Sequence, residues 1–226
     1  MRKVFVSMLL LAGIAGVFAQ EGQTVILDVQ GTVEIQDGGS AEWRAAAPGD
    51  SIGKNTTIST GFKSIALISL GNSRLSVRPL TRLTLEELVQ RDNTEDVRLH
   101  LRTGRVRAEV RPPAESRTDF TVRSPVATAS VRGTDFEFDT RHLYVNDGRV
   151  LLENSNGQMV FVDKGQRSYV EESEQRVIPP FEVEAALLTP ILAELTNTGS
   201  DTGGYAPIIT APEADLSPVS VEAEWR

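Results

Sequence analysis

The residues of this sequence best placed to do chemistry are arginines. Arg98, His100, Arg102, Arg105 and Arg107 lie on either side of Thr103-Gly104, and Arg132 stands beside Gly133. A guanidinium presents its N–H donors as a planar fork and grips carboxylate or phosphate bidentately. Contact with an anionic ligand or partner is therefore the chemistry expected of Arg98, Arg102, Arg105, Arg107 and Arg132. Like charges side by side repel, so such a face wants an anionic counterpart. An envelope protein, an anionic cell-envelope polymer or the acidic C-terminal stretch of the same chain would serve. The structural alternatives are a solvated face and, for Arg132, an internal pair with Asp135 or Glu137 at a bend that Gly133 permits.

Other constellations are poor. The chain has no cysteine and two histidines, which excludes a disulfide scaffold, a thiol nucleophile and a Cys zinc site. His100 and His142 stand in no Ser or Asp frame of triad type. Glu86-Glu87 and Glu171-Glu172 are adjacent carboxylates, and neighbours along a strand face opposite ways, so no acid–base pair is expected. Asp135, Asp139 and Asp147 match no calcium-loop spacing. No catalytic residue, metal or cofactor is expected, and a binding or structural protein is favoured over an enzyme.

The elements that must carry these residues read as short strands. With 40% hydrophobic and 24% charged residues among 226, the composition is that of a globular protein, not a collagen-like or multi-span membrane chain. From 24 to 170 apolar and polar residues alternate, as in Val25, Leu27 and Val29 or Phe136 and Phe138. Turn signals such as Asp37-Gly38-Gly39, Gly71-Asn72-Ser73 and Asn154 to Gly157 divide the runs. This is the spacing of an all-β sandwich or barrel. One hairpin is expected at 96–111, with Val97, Leu99, Leu101, Val106, Ala108 and Val110 inward and the arginines outward. A second is expected about Asn146-Asp147-Gly148.

The two ends differ from this body. Arg2 and Lys3 precede an uncharged run, Val4 to Phe18, that ends Val17-Phe18-Ala19 before polar residues. That run is shorter than the roughly 20 residues a membrane-spanning helix needs. A cleaved signal peptide over 1–19 is expected, giving a periplasmic or secreted protein with no transmembrane segment in the mature chain. The β domain would occupy 20–170, a linker and short helix 171–195, and an acidic, flexible tail 196–226. Pro179-Pro180 opens the helical stretch and Pro190 is expected to kink or interrupt it. The formal charge of −8 becomes −10 once Arg2 and Lys3 leave. Residues 168–226 hold 11 acids against Arg176 and Arg226, so the acidity is concentrated there. Nucleic acid, whose phosphates need a basic surplus, is not an expected partner.

One segment is distinctive. Val131-Arg132-Gly133-Thr134-Asp135-Phe136, with Pro125 and Ala129 before it, resembles the signature of FecR-like periplasmic domains. Gly49-Asp50, Ile58 to Gly61, Ser64 to Leu67 and Gly71-Asn72-Ser73 follow the family's order. So do Pro79 to Leu83, Gly104-Arg105-Val106, Val145 to Val150 and Lys164-Gly165-Gln166. The resemblance covers roughly residues 24–170. It implies an antiparallel β-sandwich of jelly-roll type and a non-catalytic periplasmic role in signalling or protein–protein interaction. The best-known members are inner-membrane regulators that relay the state of an outer-membrane receptor to a cytoplasmic sigma factor. With only Met1 to Lys3 ahead of its apolar run, this chain is expected to be an exported module instead. An envelope carbohydrate-binding or scaffold protein, using the basic hairpin face, is the competing expectation.

Overall fold

The computed structural model describes residues 24–197 apart from 92–93, 113–116, 172 and 174. The expected signal peptide and all but the first two residues of the expected tail lie outside them.

Two sheets enclose one apolar core. The eight-stranded sheet holds, in spatial order, β1 (Val25–Gln30), β5 (Ile65–Leu70), β6 (Ser73–Val77), β9 (Arg105–Glu109), β12 (Asp135–Asp139), β13 (His142–Asp147), β16 (Arg167–Glu171) and β17 (Arg176–Ile178). The nine-stranded sheet holds β15 (Met159–Asp163), β14 (Arg149–Asn154), β11 (Ala127–Val131), β10 (Arg117–Arg123), β8 (Thr94–Thr103), β7 (Arg82–Arg91), β4 (Thr57–Thr60), β2 (Val33–Gln36) and β3 (Arg44–Ala45). Neighbours are antiparallel, except that β8 and β10 run parallel. Period-two alternation turns one side of each strand inward, as with Val97, Leu99 and Leu101 on β8 and Val106 and Ala108 on β9, all buried. Phe120 of the nine-stranded sheet meets Phe136 of the eight-stranded one edge to face, their centroids 6.3 Å apart.

The all-β sandwich is as the sequence implies, and its winding has a consequence. Apart from β2 and β3, which lie in the order β4-β2-β3, strands are added from one side of each sheet to the other as the chain proceeds. Each pair thus packs beside recent ones, where a jelly roll interleaves strands distant in sequence. The sheet also runs on past the expected boundary at 170, through β17 to Ile178. Pro180 then begins α1 (Pro180–Asn197), at the position where its missing N–H costs nothing, and the helix continues through Pro190 as one element.

Such winding requires the chain to cross repeatedly from sheet to sheet. Each of the seven fully described crossings contains one residue with positive φ: Gly31, Lys63, Leu80, Gly104, Gly133, Gly148 or Gly165. Gly104 shows why. Its φ is +90°, and a Cβ there would fall 2.3 Å from the Thr81 Oγ1 and 2.4 Å from the Thr81 Cα. The buried Thr81 hydroxyl accepts from the Arg105 N–H at 3.0 Å and donates to the Arg105 carbonyl at 3.1 Å, riveting one crossing to the next. Only glycine lets the chain pass so close.

Two expected hairpins are corrected by this topology. β8 and β9 do not pair with each other. β8 pairs with β7 and β10, whereas β9 pairs with β6 and β12 in the other sheet. β13 and β14 likewise belong to different sheets. A single residue, Gly104 or Gly148, separates the strands in each case. The commonest tight hairpins need two.

Candidate functional site

The crossing at Gly104 divides the arginine cluster. Inward-facing residues alternate with the arginines on both strands, so Arg98 and Arg102 project from the outer face of the nine-stranded sheet. Arg105 and Arg107 project from the outer face of the eight-stranded sheet, on the opposite side of the sandwich. The single basic face expected from the sequence does not exist.

Most of these arginines already hold a carboxylate. On the eight-stranded face Arg107 grips Asp135 bidentately, Nε to Oδ1 at 3.1 Å and Nη2 to Oδ2 at 2.8 Å, and its pKa is raised by that bond. Arg105 lies 3.7 Å from Asp139, and Arg78 lies 3.5 Å from Glu137. β12 thus presents a column of acids to the basic column of β9 and its neighbour, as opposite charges on adjacent strands favour. Arg132 pairs with Asp119 at 2.9 Å, not with Asp135 or Glu137. The β10–β11 register sets Phe120 opposite Val131, which brings Asp119 beside Arg132.

On the nine-stranded face a β-bulge overturns the expectation for Glu86-Glu87. The register of β7 shifts between Leu85 and Glu87, and both carboxylates reach the outer face. Glu87 binds Arg98 at 2.7 Å and Glu86 lies 3.9 Å from His100. Arg102 makes no ion pair among the described residues. Asp135, Asp139 and Asp147 are spent separately, on Arg107, on the 139–142 turn and on Lys164.

Beside the Gly104 crossing the eight-stranded face carries a groove of about 620 Å³, walled by Arg78, Arg105 and Arg141 with Glu137, Asp139 and His142. Asp139 shapes its rim. Burial works against ionisation of this carboxyl, but N–H donors of His142 and Arg141, at 2.7 and 2.8 Å, outweigh it and hold the pKa below the usual value. The His142 ring sits 3.2 Å from Asp139 and stacks at a tilt on Tyr169, 5.5 Å between centroids. Leu80 and Pro79 close the groove on its apolar side. Sequence reasoning passed over Leu80 and its neighbour Phe62, although large apolar residues inside turn signals were the cue.

A third overlooked residue lies inside the core. Glu95, 5% exposed, shares the inward side of β8 with Val97 and Leu99, as alternation alone would place it. Burial raises its pKa, against the lowering effect of the Asn72 N–H and the Thr118 hydroxyl. A Cβ on Gly71 would overlap its carboxylate. It closes the β5–β6 turn from within and does not open onto the groove.

Residues 56–158 match the family model described as FecR protein. This stretch is a FecR domain. The match runs from the start of β4 to the β14–β15 turn, and β1 to β3 and β15 to β17 complete the two sheets around it. Crystal structures of a candidate anti-sigma factor from Parabacteroides distasonis ATCC 8503, determined at 2.50 and 1.65 Å, resemble the chain at 14% identity and a TM-score of 0.45. Each covers 62% of this chain and 71% or 72% of its own. No curated protein matches the sequence. The motif residues of the FecR domain are architectural. Gly61, Gly104, Gly133-Thr134 and Gly148 all lie at crossings, and the Thr134 hydroxyl bonds the Arg149 carbonyl at 3.1 Å, fastening one crossing to another.

Proposed function

We propose that the chain is an exported, non-catalytic regulatory module whose FecR domain works by binding another protein of the cell envelope. The FecR family match carries this reading. The charged run and apolar segment at Arg2 to Phe18, closed by Ala19, support export and cleavage before Gln20. The domain plan is then a signal peptide over 1–19, the β domain from 20, the short helix, and an acidic tail over 196–226. Arg98, Arg102, Arg105, Arg107 and Arg132 remain candidate contacts, now as two separate surfaces. The envelope-polymer reading drew on one continuous basic face and loses that support.

Two measurements test the proposal. Mass analysis of the protein recovered from a periplasmic fraction should give an N-terminus at or near Gln20, and crosslinking in intact cells should trap a defined protein partner. An uncleaved chain held in the inner membrane would overturn the export reading. A chain crosslinked only to cell-wall material would overturn the protein-partner reading.

A further inference from the structure

Among the seven crossings, five use glycine for the left-handed position and two do not. Lys63 has φ +55° and Leu80 has φ +56°. A leucine in this conformation is strained, and glycine would meet the same need without cost. Nor does the leucine repay the strain by burial, because Leu80 is 59% exposed. Phe62, on the adjoining crossing, is 74% exposed. The two crossings are joined through the Leu80 N–H, which donates to the Gly61 carbonyl at 3.2 Å. Two large apolar side chains thus stand out at one end of the sandwich, each more than half exposed, where folding gains little from them.

Their surroundings complete a binding surface. Leu80 borders the groove, where Arg78 and Arg105 face Glu137 and Asp139, and Lys63 flanks Phe62. Lys63 adds a positive charge beside the Arg78–Glu137 and Arg105–Asp139 pairs, on a chain whose formal charge is −8. The Arg78–Glu137 and Arg105–Asp139 contacts, at 3.5 and 3.7 Å, are looser than Arg107–Asp135 at 2.8 Å. The Arg78 and Arg105 guanidinium groups each have five N–H donors, more than one distant carboxylate engages.

We propose that this end of the sandwich, from Phe62 and Leu80 into the groove, docks an acidic peptide segment of a partner protein that carries a large apolar residue. The proposal rests on the protein-binding reading above and gives it a site. A carbohydrate polymer has little use for Phe62 and Leu80. A uniformly anionic bilayer would press phosphates against Glu137 and Asp139. A peptide can meet the apolar anchors and the arginines while placing neutral atoms over the acids.

Panning a random dodecapeptide library on the immobilised full chain tests this. Enriched peptides should be acidic with Leu, Ile or Phe, and synthetic copies should bind the free protein in fluorescence anisotropy, more weakly as salt rises. Leu80→Gly and Phe62→Ser should each weaken binding about tenfold or more, while the Tm of Leu80→Gly stays equal or rises. The Leu80→Gly result separates docking from folding, since glycine suits that backbone. Selected peptides that are basic, that bind Leu80→Gly with unchanged Kd, or that fail to emerge would each overturn the site. So would capture of the chain by phosphatidylglycerol vesicles in flotation without any selected peptide. Peptides that bind elsewhere on the domain would sink this site alone, because the module reading is decided by crosslinking in cells.

Discussion

Gly104→Ala is the sharpest test of how the crossings hold the sandwich together. Alanine at φ +90° must tolerate a left-handed backbone, at about 1–2 kcal/mol. Its Cβ would also sit 2.3 Å from the Thr81 Oγ1, 2.4 Å from the Thr81 Cα and 2.7 Å from the Leu80 carbonyl oxygen. Two of those atoms are backbone and cannot swing aside, so overpacking adds about 1–3 kcal/mol. If Thr81 is pushed out, its bonds to Arg105 go as well. The expected loss is about 2–5 kcal/mol, a large part of the roughly 5–15 kcal/mol that stabilises a typical domain. Gly157→Ala is the control, because its φ is +80° and no described residue lies within 4 Å of the added Cβ. That variant should lose only the conformational part, about 1–2 kcal/mol. Gly133→Ala should fall between them, since among the described residues its Cβ meets only the Pro112 ring, at 3.1 and 3.3 Å. Urea unfolding of the full-length variants, followed by circular dichroism at pH 7, gives the three values, provided the m-values agree. If Gly104→Ala and Gly157→Ala lose the same amount, close packing at the crossing is irrelevant and the argument from Thr81 fails.

Three further outcomes follow from the charged groups. Glu95 has a folded pKa raised above the ordinary 4.5, so the folded state holds its proton more tightly and stability falls as pH rises through that interval; Glu95→Gln should raise the Tm at pH 7 and lose this advantage below about pH 4, whereas a lower Tm at both values would refute it. Asp139 behaves oppositely, its pKa being lowered, so its contribution is present above the ordinary 3.8 and disappears as pH falls through the folded value; Asp139→Ala should cost about 1–2 kcal/mol at pH 7 and progressively less below pH 3.8 in denaturant titrations. A double-mutant cycle on Arg107 and Asp135, using Ala and Asn, should return about 0.5–1.5 kcal/mol of coupling that shrinks in 1 M salt, and zero coupling would make the bidentate contact incidental.

Strand positions were largely legible in the sequence, and strand partners were not. Alternation says which side of a strand faces the core, and that side is the same whether the strand joins one sheet or the other. Val97 to Leu101 and Val106 to Val110 were therefore placed inward correctly and paired wrongly. The hint was the single residue between β8 and β9, too few for a two-residue reversal. Alternation also breaks at a bulge, which is why Glu86 and Glu87 share a face that the period-two rule denies them. The partner of Arg132 was hidden for a related reason. Asp119 is 13 residues away and becomes a neighbour only through the β10–β11 register.

The same crossings explain why a motif can be easy to see and say little about chemistry. Gly104, Gly133 and Gly148 are where the chain changes sheets, and the hydroxyls of Thr81 and Thr134 tie these crossings together. A sequence that must wind this way shows those residues whatever it binds. The informative positions are those where the backbone's demand and the residue disagree. Asn55 and Gln175 also have positive φ, but both lie in connections between strands of one sheet, and asparagine tolerates that region. Leu80 has no such excuse. It occupies a left-handed position, is bulky, and stands in solvent beside a groove of arginines. A residue that neither the backbone nor the core requires has to be accounted for by what comes to rest on it.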